Sequence, residues 1–302
     1  YDNVLVGATN AGLINSAMDG GGLYFFESTA QFVNTWIANN HAIFGGGIRS
    51  IFDRATRLTG CSVSENVATN GGGLMVDMPD GEWVLDNCTV ISNRSTYYGG
   101  GAMLFSMRPL VFSNTTRIAY NTAGMDGGGI LINGSCTMVV DNSRLDGNEA
   151  GVSGGGIAAW SSLFELHCTD TDIVNNRANR NNTGVGVGGG IAAMNGNLFI
   201  RALTRSCAIT NNTAVNGGAC DAQYYAHVWL EGTGTNRLLL ADNIALTNGG
   251  ALSQNLGCTS IISGDVVFER NRALQGGGVY NGSNSYLAAQ SAGSVAPAFY
   301  RN

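Results

Sequence analysis

Lysine is absent from this chain: all 15 of its cationic side chains are arginine. Schiff-base chemistry and phosphate binding through a P-loop lysine are therefore excluded. Charged residues make up only 12% of the sequence, against about 25% in a typical soluble domain. A net charge of -6 with scattered arginines leaves no clustered basic face, so no nucleic-acid partner is expected. No apolar run approaches the roughly 18 residues of a bilayer-crossing helix, so no membrane span is expected either. Proline occurs 3 times, which excludes collagen-like and proline-rich disordered classes. The first residue is Tyr1 and not a methionine, which fits a processed or truncated protein.

What the chain has is glycine, 45 residues of it, arranged in a repeat. A Gly-Gly-Gly-apolar motif, or an Asn-Gly-Gly equivalent, places a glycine at 22, 47, 73, 101, 129, 156, 190, 218, 250 and 278. Ahead of each stands an asparagine: Asn15, Asn40, Asn66, Asn93, Asn121, Asn148, Asn176, Asn212, Asn243 and Asn271. The residue two after each asparagine is alanine, with Ser95 the exception. Three before it is an apolar side chain, from Ile37 to Phe268, with Gly12 departing in the first copy.

Repeats of about 28 residues are too short for helix pairs, and glycine triplets would break helices. The apolar segments are short and strand-like, for example Ile130-Leu131-Ile132 and Val266-Val267-Phe268. Each copy therefore reads as one coil of a right-handed parallel β-helix, with about three strands per coil. Residues 1–302 read as a single all-β solenoid domain of about ten coils, a rod roughly 45 Å long. Asparagine at a corner suits the left-handed conformation and an amide ladder between coils, and glycine suits a sharp turn. Two long intervals place loop excursions near 177–187 and 223–234.

Val-Ile-Ser-Asn at 90 to 93 and Val-Phe-Glu-Arg-Asn at 267 to 271, each paired with Gly-Gly-Gly-apolar, resemble the FxxN and GGA[ILV] repeats of the chlamydial polymorphic outer membrane protein family. The resemblance covers about residues 12 to 282. It implies a pectin-lyase-like β-helix used at a cell surface, often for adhesion. The chain departs from that family in favouring Ile, Val or Leu over Phe, and in carrying no membrane-barrel portion.

Of the seven cysteines, Cys61 and Cys88 occupy the same slot on consecutive coils. Their expected spacing of about 4.8 Å lies in the disulfide range, so the pair reads either as a disulfide or as two buried thiols. No spacing suggests a metal site, and no cofactor is expected. Acceptor triplets for covalent N-glycans stand at Asn87, Asn114, Asn133, Asn181, Asn211 and Asn281, and also at the ladder residue Asn93. Asn181, in the first loop, is the best placed of them by sequence.

β-Helices often carry grouped carboxylates for acid and base work, but the strand after the glycine triplet supplies none in its outward column, read as running from Tyr24 through Cys220 to Tyr280. The best acidic pair, Asp170 and Asp172, reads as a solvated surface pair. The same column suggests an outward apolar stripe of Tyr24, Met75, Met103, Leu131 and Leu252, an expected interaction face. The sequence thus points first to an extracellular or cell-surface structural rod that self-associates laterally or head to tail. An adhesin binding host or glycan ligands through its loops, and a polysaccharide lyase or hydrolase, are the alternatives.

Overall fold

The computed structural model describes residues 5–7, 15–161, 164–182 and 184–302. The Gly12 position lies outside them. Every named strand pairs in parallel with its equivalent one coil away, and no helix occurs among the described residues. The chain winds through four faces per coil, where three strands were expected. The first sheet follows the glycines and has 10 strands, from Leu23–Phe26 to Val279–Asn281. The second also has 10, from Thr29–Val33 to Tyr286–Gln290. The third, which leads into the asparagines, has 11, from Leu5–Gly7 to Ala298–Tyr300.

The fourth sheet follows the asparagines. It has six strands ending at Glu149–Ala150, then resumes as two, Thr213–Asn216 and Ile244–Asn248. Some of its strands span only two residues, and its sequence is the N-x-A part of the repeat, which has no apolar alternation to announce a strand. Between its two parts Arg177 and Val187 still bridge to the coils on both sides, and the chain leaves the sheet between them, where Asn181 Nδ2 donates to the Gly124 carbonyl at 3.1 Å. Residues 223–234 are not a loop excursion. His227–Gly232 is a regular strand of the second sheet, and Cys220–Gln223 belongs to the first. The extra length of this coil goes into a longer strand and the turn at 233–237.

Alternation along the strands fills the interior with apolar side chains. The column three before the asparagines, Ile37, Val63, Val90, Ile118, Leu145, Ile173, Ile209, Leu240 and Phe268, is wholly buried. Burying each such side chain contributes about 1.5 to 3 kcal/mol. Phe268 stacks on Phe299 with ring centroids 4.6 Å apart, which extends the column to the last strand.

Candidate functional site

Beside that column runs the asparagine ladder. In the bonding seen from Asn40 onward, each Nδ2 donates both to the Oδ1 of the next asparagine and to the carbonyl of the apolar residue of the preceding coil. For Asn121 these are Asn148 Oδ1 and the Val90 carbonyl, both at 2.9 Å. Each Oδ1 in turn accepts the next asparagine down and its backbone amide, as Asn121 does from Asn93 at 3.0 and 2.9 Å. Asn15, Asn40, Asn66, Asn93, Asn121, Asn148, Asn176, Asn212, Asn243 and Asn271 are joined in this way. The ladder does not stop there: Asn302 Oδ1 accepts from Asn271 Nδ2 at 2.9 Å, a rung that Phe299, three residues earlier, announces.

The ladder asparagines are not the left-handed residues. Positive φ falls on the residue immediately before, as at Asn39, Glu65, Ser92, Tyr120 and Asn175. The asparagines instead keep a backbone that aims their amides along the axis.

The outward column of the first sheet is corrected by the pairing register. In two copies Ala219 and Ala251 take the slot of the third glycine, so the column continues Leu131, Ala158, Ala192, Asp221, Ser253 and Tyr280. Leu252 lies in the inward column, paired with Cys220 and Val279, and is fully buried. A carboxylate does therefore occupy the outward column, at Asp221. Nor is the stripe an open face. Tyr24 is exposed and Met103 half-buried, but Met75 is buried and Leu131 is only 2% exposed. The glycine corner folds the end of the fourth sheet back over them: a Cβ on Gly71 would stand 2.7 Å from that of Met75.

This concave corner holds two carboxyls whose ionisation burial suppresses. Asp126, 1% exposed, accepts the Ser153 amide at 3.0 Å through Oδ1, while Oδ2 is buried with no partner. Desolvation pushes it up to about 6. Asp221 is pushed to about 6 by the same cause, against the hydrogen bonds of Ser253 and Gln223. Arg49, buried in the same column, pairs with Asp77 at 2.9 Å and Asp19 at 3.4 Å on the coils to either side.

Asp170 and Asp172 are not a solvated pair. Asp170 is buried in a left-handed turn and accepts the amides of Leu203 at 2.6 Å and Thr204 at 3.0 Å. Burial works against its charge, yet the Thr204 side chain and the Leu203, Thr204 and Arg205 amides hold it below the usual carboxylate range. Asp172 accepts the Ala208 amide at 2.9 Å and meets Arg205 at 3.3 Å. Around them Arg117 and Arg144 meet Asp146 at 3.5 and 3.3 Å, and Arg237 meets Asp265 at 3.0 Å. Sequence reading missed a ring column on the second sheet: His167, Phe199 and Trp229 stack with centroids 4.6 and 4.5 Å apart. Phe199 is thus stacked between the other two rings, each of which stacks on it through one face.

Cys61 and Cys88 do stand on neighbouring coils, but as buried free thiols. Their sulfurs donate to the Thr59 and Leu58 carbonyls at 3.4 and 3.3 Å, so the slot is filled without a disulfide. The interaction of the two neighbouring thiols holds Cys61 below its ordinary value and pushes Cys88 up, as burial also does. Among the described residues no group of three His, Cys, Asp or Glu side chains converges as a metal site would require.

The glycosylation triplets separate by environment. Asn87, Asn133, Asn211 and Asn281 are exposed, whereas Asn114 Nδ2 is held by Asp86 at 2.7 Å. Asn181, the triplet favoured by sequence, is exposed, but its Nδ2 is held by the Gly124 carbonyl at 3.1 Å. Asn93 is a buried rung.

No curated protein and no solved structure matches the chain. The family model described as the right handed beta helix region matches residues 7–167, a little over half of the sequence. With its parallel coils and stacked columns, the chain belongs to the right-handed β-helix family.

Proposed function

We propose that this protein is an extracellular or cell-surface structural rod that assembles with further copies of itself. The observation that carries this reading is where the polar side chains go. The asparagines bond from coil to coil, Arg49 joins coils on both sides, and Asp170 and Asp172 fasten the turn of the following coil. Their chemistry is committed to holding the solenoid together. The likeness of the repeats to chlamydial surface-protein repeats supports the surface location. Electron microscopy of the purified protein tests the reading: short rods joined side to side or end to end are expected. Cleavage of acidic polysaccharides on incubation would overturn it in favour of the lyase or hydrolase alternative.

The adhesin reading has a place of its own in the notch beside 177–187. There Arg177, Asn182, Ile244 and Leu246 line a groove of about 320 Å³. Glycan-array binding that Arg177→Ala abolishes would favour it.

A further inference from the structure

The corner that leaves the first sheet carries large apolar side chains that the described residues leave uncovered. Toward the N-terminal end these are Phe26, Phe52, Met78 and Met107, and toward the C-terminal end Tyr224, Tyr225 and Leu256. Met107 and Tyr225 are 74% and 71% exposed, and the others lie between 40% and 51%. Between the clusters Trp160 and Met194 are half-buried, and the remaining corner positions are polar or small, with Asn133, Gly134 and Asn195.

Backbone conformation marks the same corner. Phe52, Met78, Tyr224, Tyr225 and Leu256 have φ of 54°, 45°, 54°, 64° and 60°. This left-handed region is one that a bulky side chain disfavours. At the corner between the second and third sheets the same conformation falls mostly on residues that tolerate it, such as Asn34, Gly60, Asn87, Asn114 and Asn142. Apolar side chains thus sit where both water and the backbone disfavour them.

We propose that this ridge is the surface on which two copies of the chain pair, antiparallel about a two-fold axis. The inference rests on the assembling-rod reading and gives it an interface. Three observations choose a second copy as the occupant. The two clusters together expose seven large apolar side chains to between 40% and 74%, a patch of the scale that a partner in a standard stable interface buries, about 800 Å². Within each cluster the side chains recur at the coil rise of about 4.8 Å, a spacing that another rod of the same rise matches. An antiparallel two-fold lays the Phe-Met cluster of one copy against the Tyr-Leu cluster of the other, twice over. A groove of about 450 Å³ among Phe52, Met78, Pro79 and Met107 can receive a tyrosine ring, and the adaptable methionines suit it.

The test is sedimentation of the wild type beside the double variant Phe52→Asn, Met78→Asn and the single variant Tyr225→Asn. Asparagine suits the left-handed backbone, so each variant should keep or raise its Tm. The wild type should dimerise, and each variant should do so at least about tenfold more weakly. A second arm mixes Glu27→Cys with Ser283→Cys chains, exposed positions at the same corner that leave both apolar clusters intact, and adds a bis-maleimide, from which the seven native thiols are shielded by burial. Cross-linked heterodimer is expected, and its absence overturns the antiparallel pairing. Association that survives the asparagine substitutions overturns this ridge alone. Wild-type monomers at the highest soluble concentration overturn the assembling-rod reading with it.

Discussion

Ser95 is the one residue to break the alanine column, and its buried Oγ has no hydrogen-bond partner. Ser95→Ala should therefore stabilise the protein by about 1 kcal/mol in urea melts. Asn121→Ala should have the opposite effect. It removes both donors and strands the Asn93 side chain and amide, for a loss of about 2 to 5 kcal/mol. Asp126 and Asp221 give a pH dependence of definite sign. Their folded values of about 6 lie above the ordinary 3.8, so the stability tied to their protonated forms is complete below that value and lost as pH rises through 6. For each carboxyl the loss by pH 7 amounts to about 3 kcal/mol. Melting across pH 4 to 7 should show that loss, and Asp126→Asn with Asp221→Asn should flatten it. At this scale the rungs were legible because an asparagine recurs beside fixed neighbours. Asp221 was not, because counting glycines through Ala219 and Ala251 slips the register by one residue and exchanges inside for outside.

At the scale of strands and corners, the alternation that reads Leu131 as outward implies an inward Ile130 and Ile132, and both are fully buried. It could not show that Leu131 would be covered, since that depends on how the fourth sheet folds back at the glycines. Each glycine of the triplet meets a different constraint. Gly127 has φ of 67°, whereas a Cβ on Gly128 would lie 2.5 Å from backbone atoms of Glu149 and Gly155. Gly128→Val should thus fail through collision with the next coil, not through φ, and should cost more than the roughly 1 kcal/mol of an ordinary glycine replacement. Thermal melts of Gly128→Ala and Gly128→Val should rank in that order of damage. The fourth face was invisible for a related reason: two-residue strands such as Thr122–Ala123 are too short to show a period.

At the scale of the molecule, repeats that touch only their neighbours form a quasi-one-dimensional solid, and its cohesion depends on the columns that run through every coil. The exposed corner ridge escaped sequence reading because all of its residues but Phe26, the last of its strand, lie outside the strands and so outside any period. The ladder is the column the account rests on, and hydrogen exchange of asparagine side-chain amides by NMR tests it most directly. Rungs from Asn40 to Asn271, wholly buried with both amide hydrogens bonded, should stay protected long after exposed Asn87 and Asn211 have exchanged. Uniformly fast exchange across all of these side chains would contradict it.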